Sequence, residues 1–313
     1  MGPVVGGIFA EIGWWRGSFW TMAPVMAGFA ILAWLKLPEG SDHEAASRRP
    51  GRFPLARLGL LTGGVFAVAL AGPVFDGAMR VVMIAISVVL VVACLRLDRR
   101  AENRLYPTGA LSVFSPVGLG LWIMALAGMA QTTVNVFMPL LLQVVHGVTP
   151  LFVSFIAITV SVGWTIATFA VSGYSGRREN LALGTGPLLM LAGLGAIAIS
   201  AQSPLLWVLT LAAFVMGLGI GAHNVLLVTR IMSSGRAGEE SITGSSILSM
   251  RSLGTAFGAA IGGMLTSVAG LGDATEAASV GPAVNLVFAF NLIPLVLAAL
   301  FMFMLIRLGG RGH

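Results

Sequence analysis

The sequence predicts an all-α polytopic membrane protein, with about nine full transmembrane helices and one partial helix. Three observations carry that prediction. Hydrophobic residues make up 57% of the chain and charged residues only 10%, where soluble domains carry about 25% charged residues. Apolar runs of nearly membrane-crossing length recur from one end to the other. The arginines between those runs crowd onto alternate connectors, the asymmetry by which membrane proteins are oriented.

The opening run, residues 2–13, contains Gly2-Pro3-Val4-Val5-Gly6-Gly7. It is about 12 residues, or roughly 18 Å at 1.5 Å per residue, too short for a hydrocarbon core of about 30 Å. It is expected to be the outer half of a span, with a re-entrant or interfacial piece as the alternative. Pro3 removes a backbone donor and predicts a bend. Gly2, Gly6 and Gly7 leave a bare face on which a second helix can come close. No basic segment precedes this run, so it does not read as a signal peptide.

Full spans are predicted at 19–37, 58–75, 79–97, 116–142, 151–172, 181–200, 205–228, 244–269 and 283–306. Lys36, Arg48, Arg49, Arg52 and Arg57 mark one connector, and Arg96, Arg99, Arg100 and Arg104 the next on that side. Arg177, Arg178, Arg230, Arg236, Arg307 and Arg311 complete it. The opposite side has Arg16 and Arg80, and its connector 270–282 has Asp273 and Glu276 but no base. The positive-inside rule then puts the arginine-rich side and the C-terminus in the cytoplasm of a cell-membrane protein.

The runs fall into blocks: 1–37, a half span and one span; 38–57, a basic loop; and 58–97, a helical pair turned by Gly72-Pro73-Val74-Phe75-Asp76-Gly77. A second basic loop, 98–115, leads into six spans over 116–313.

The span 116–142 is the most polar within. Gln131 and Asn135, four apart, share a face, with Gln143 near the outer end. Such amides either bind a ligand in the bundle interior or bridge helices. His223 and Asn224 follow Gly217-x-Gly219-x-Gly221 in another span. His223 is either a proton relay or a structural histidine, and the glycine string, inside a membrane helix, is no nucleotide motif. Gly254, Gly258 and Gly262 form a small-residue ridge, with Arg251 three residues before it. Arg251 is expected either to snorkel to lipid phosphates or to make a gating contact.

The opening hexad, followed by Trp14-Trp15-Arg16-Gly17-Ser18-Phe19-Trp20, resembles a motif of drug:proton antiporters in the major facilitator superfamily. There Gly-Pro-x-x-Gly-Gly lies in the fifth span and a Trp-Arg-x-x-Phe segment follows at the outer surface. The resemblance implies that four earlier spans are missing from this sequence. The extra pair at 58–97 resembles the fourteen-span branch. Pro139-Leu140-Leu141-Leu142-Gln143 with Gly147 and Pro150 looks like the start of that family's C-terminal bundle, where the span lines the central cavity. Arg251-Ser252-Leu253-Gly254-x-x-x-Gly258 resembles its penultimate span, which packs across the bundle interface. Gly173-Tyr174-Ser175-Gly176-Arg177-Arg178 is similar to its Gly-x-x-x-Asp-Arg loop, with the aspartate absent.

The resemblance implies a secondary transporter exporting drugs or other small molecules, lipophilic or cationic, in exchange for protons. The alternative is a transport-inactive fragment, or half of a split transporter whose missing spans come from a separate chain. All 12 Asp and Glu lie in connectors or at span ends, so His223 is the one candidate proton carrier within a span. Membrane lipids are expected partners of the basic loops. The net charge of +6 reflects those loops and not nucleic-acid binding. No intramembrane catalytic pair and no His-Glu-x-x-His occurs, so no enzyme, metal or cofactor is expected. Cys94, the sole cysteine, excludes a disulfide framework.

Overall fold

The computed structural model describes residues 2–36, 54–74, 77–101, 103–271 and 277–309. Arg48, Arg49, Arg52 and Arg311 lie outside the described residues, as do Glu39, Asp42, Glu44, Phe75, Asp76, Glu102, Asp273 and Glu276. The helices are α1 Gly2–Glu11, α2 Gly17–Lys36, α3 Leu55–Ala71, α4 Gly77–Arg100 and α5 Pro116–Leu140. They continue with α6 Pro150–Val171, α7 Gly176–Ser200, α8 Leu206–Ser234, α9 Glu240–Val268 and α10 Ala277–Gly309. Each predicted span has its helix, and the described residues contain no strand.

By length and composition, seven of these helices can cross a membrane. The two predicted spans outside that set have plain reasons. Helix α3 has only 17 residues, and α9, with 29 residues, is diluted by the Ser, Thr and Gly that let it lie close to a neighbour.

Helices α5 to α10 pack as one group, with α8 against α6 and α7, and α5 against α9 and α10. Apolar association inside lipid has little hydrophobic drive, so close backbone approach and van der Waals contact must hold it. The glycines show how. A Cβ added at Gly217 or Gly221 would fall 2.1 Å from Val160 O and 2.2 Å from Trp164 O on α6. One added at Gly219 would fall 2.6 Å from Gly186 O on α7. The Gly-x-Gly-x-Gly string therefore serves two neighbours on opposite flanks of α8. On α9 the ridge meets α5 in the same way: Gly254 sits against Ala125 O (1.9 Å) and Gly258 against Met129 O (2.7 Å). Farther out Gly262 sits against the Phe137 ring (2.5 Å). This ridge, read from the resemblance as a surface for the other bundle, is filled by α5 of the same chain.

Helices α3 and α4 form a hairpin that leans on α9, where a Cβ at Gly72 would meet Met264 Cα at 2.6 Å. Arg57, expected in the basic connector, instead lies in the first turn of α3, buried and ion-paired with Asp98 at the end of α4. Asp98 also accepts from the backbone N–H groups of Leu105 (2.7 Å) and Tyr106 (3.2 Å). Glu239, just before α9, accepts from the Thr108 hydroxyl at 2.6 Å and its N–H at 3.0 Å. The connector between α4 and α5 is thus tied by two carboxylates, at Leu105–Tyr106 and again at Thr108. Arg230 pairs with Glu179 at 2.6 Å, joining α8 to the first turn of α7 at the same arginine-rich end.

Helix α2 stands apart. It packs on α1 alone to any extent, and its side chains Phe19, Trp20, Val25, Met26, Phe29 and Trp34 are exposed.

Candidate functional site

The opening helix docks where its glycine pattern allows. Helix α1 lies along α6, and a Cβ at Gly7 would fall 2.2 Å from Ser154 Oγ and 3.1 Å from Pro150 O. Glu11 Oε2 accepts from the Leu151 N–H at 3.4 Å, at the N-terminal end of α6, where the helix dipole favours a carboxylate. Pro3 lies in α1. Past α1, Phe9 meets Trp14 edge to face at 5.5 Å, and the Arg16 guanidinium lies 4.5 Å over the Trp15 ring.

Only Gly7 of the glycine face is in close contact. Nothing lies within 4 Å of a Cβ added at Gly2 or Gly6. Pro3, Gly6 and Gly7 instead line a half-open cavity of about 500 Å³, whose other lining residues come mainly from α5, the turn after it and α6. Its lining is apolar, from Val134, Met138, Leu142, Val153, Ile156 and Val160, with Asn135, Gln143 and Ser154 as polar side chains. Pro139, also in the wall, cannot donate to the Asn135 carbonyl one turn back, which adds an acceptor there. The helix after it changes to a π-turn over Leu141–Val145.

The remaining candidates gather elsewhere. Gln131, His223, Asn224 and Arg251 line a second, narrow crevice. An Arg251 Nη donates to Gln131 Oε1 at 3.1 Å, and the guanidinium lies 5.3 Å from the Trp164 ring centroid. These contacts point into the helix group, where the snorkelling expectation would put the guanidinium among lipid phosphates. His223 is buried, with Nδ1 2.7 Å from Gly219 O. A carbonyl only accepts, so Nδ1 carries the proton and Nε2 is left over.

Gln131 and Asn135, one turn apart, therefore belong to two spaces on one face of α5. Sequence reasoning missed Ser154 and Trp164, since a serine and a tryptophan within an apolar run carry no pairing signal. The one available hint is that Trp164 lies mid-helix, away from the interfacial belts where tryptophan concentrates.

An apolar, amide-trimmed cavity of this volume lies within the range of small-molecule pockets. The chain belongs to the major facilitator superfamily, whose sequence model matches residues 1–251. That family consists of transport proteins, not enzymes. A probable multidrug-efflux transporter of Mycobacterium tuberculosis, found in two strains, is 27% identical to the chain over 289 residues, covering 88% of the chain and 60% of the relative. The chain thus spans about 60% of the length of these curated relatives.

Proposed function

We propose that this chain forms the substrate-holding part of a secondary transporter that exports small lipophilic molecules across the cell membrane in exchange for protons. The observation that carries the proposal is the cavity of about 500 Å³ between the glycine face of α1 and helices α5 and α6. Its volume lies in the range of small-molecule sites, and its apolar walls suit lipophilic compounds. In this reading the six helices from Pro116 onward are the C-terminal bundle, and α1 belongs to the bundle that rocks against it. The arginine-rich ends face the cytoplasm, as does the C-terminus. Among the described residues His223 is the one imidazole lining the two spaces, and an imidazole can take up and release a proton, which makes it the candidate proton carrier.

Asn135→Ala should lower export of lipophilic dyes from cells without lowering the amount of protein in the membrane. Unchanged export of every dye tested would overturn the cavity's role. A second reading is favoured by α2, whose exposed apolar side chains have no partner beyond α1 among the described residues. Here the chain transports only together with further spans. Dye export that appears on co-expression with the spans present in the longer relatives, and not without them, would select this reading.

A further inference from the structure

The charge of the ligand follows from what surrounds Arg251. Among the described residues it is the only permanently charged side chain lining the cavity or the crevice. Among the described residues no Asp or Glu lines either space, and no carboxylate pairs with Arg251. Gln131 Oε1 takes one of its five donors, and the Trp164 ring accounts for one face of the guanidinium.

A charge at this depth is costly unless an opposite charge or a strong acceptor meets it. Arg251 lies 11 residues along α9, roughly 16 Å from its start at 1.5 Å per residue. Its stem cannot bring the guanidinium to the surface while the guanidinium also holds Gln131. The amide and the indole fix the planar fork in place, and a fixed fork is matched by carboxylate, sulfonate or phosphate oxygens.

The residues around the guanidinium lie one turn along from the cavity lining on two helices. Asn135 and Val160 line the cavity, Gln131 lies one turn from Asn135 on α5, and Trp164 lies one turn from Val160 on α6. One turn is about 5.4 Å, within the reach of a short acid side arm. The crevice itself measures about 10 Å³, the lower limit for one water-sized oxygen, so a single oxygen of an acid group fits beside the guanidinium and the rest of the head stays toward the cavity.

We infer that the ligand is a lipophilic acid, its apolar body in the cavity between α1, α5 and α6 and its anionic head on Arg251. Of the expected characters, lipophilic or cationic, this keeps the first and replaces the second. It rests on the reading of the cavity as the transport site.

The test uses the full chain in nanodiscs and three fluorescent probes that share one apolar body: 1-pyrenebutyrate, 1-pyrenebutanol and 1-pyrenebutylammonium. Empty nanodiscs supply the background for partition into lipid. The butyrate should bind at least about tenfold more tightly than the ammonium, as expected for a charge-assisted pair away from water. Arg251→Gln, which removes the charge, should abolish that preference while pyrenebutanol still binds. Arg251→Lys should restore part of it, because the charge returns without the fork. Equal binding of all three probes, or a preference that survives Arg251→Gln, would overturn the inference and leave the cavity reading intact. No binding of any probe would overturn both.

Discussion

Two glycine faces invite comparison. Gly254, Gly258 and Gly262 on α9 and Gly2, Gly6 and Gly7 on α1 both read as surfaces for close helix approach. On α9 every position is filled, two of them by the backbone of α5. On α1 only Gly7 is in contact, while Gly6 borders the cavity and Gly2 meets nothing. Small residues therefore mark where a neighbour can come close, but two different purposes share that mark. One face is a permanent seam. The other leaves space, and that space is part of the cavity beside α1.

The largest expected effect is at the seam. In Gly254→Val the new Cβ would lie 1.9 Å from Ala125 O, and neither helix backbone can yield without separating α5 from α9. A loss of about 4 kcal/mol or more is expected, read as a collapse of membrane abundance and of the melting transition in detergent. Normal melting of that variant would erase the distinction between the faces.

On α1 the effects should be smaller and should split by position. Gly7→Ala should cost about 1–3 kcal/mol, because Ser154 Oγ and Cβ stand at 2.2 and 2.9 Å. Adding Ser154→Gly should recover most of it. Gly6→Ala, with nothing within 4 Å, should leave stability unchanged or raise it by up to about 1 kcal/mol. It should still reduce dye export by narrowing the cavity. Equal melting temperatures for Gly6→Ala and Gly7→Ala would mean that α1 does not rest on α6.

The smallest effect is at the edge of the α5–α9 pair, where Glu239 grips Thr108. The two hydrogen bonds from Thr108 hold the Glu239 carboxyl below its usual range. A depressed carboxylate contributes stability above its unfolded value, and that contribution is lost as pH falls through the folded value. Mild acid should therefore loosen the connector between α4 and α5. Proteolytic nicking near residues 104–112 should increase as pH drops below about 4.5. Thr108→Val should make nicking high at all pH and remove its dependence, while the Gly254 seam stays unaffected.

The spans were legible because a membrane demands long apolar stretches whatever they later touch, and helix ends such as Pro116, Pro150 and Gly176 carry their own local signals. The amides of α5 were legible because polar side chains are rare in such stretches. Their division was not, since Gln131 turns to Arg251 and Asn135 to the α1 cavity on account of helices distant in sequence. Arg57 misled for a related reason. As one more arginine near a basic loop it looked like a topology signal, until α4 brought Asp98 beside it.

By itself, then, the sequence determined the helices, their order and the small-residue faces on them, because each follows from composition within a few turns of chain. The tertiary structure alone decided which glycine face closes and which stays open. It also decided that an arginine in the ninth helix meets a glutamine and a tryptophan and, among the described residues, no acid. Those outcomes depend on which backbones come within van der Waals distance, and no local pattern encodes the partner across the gap.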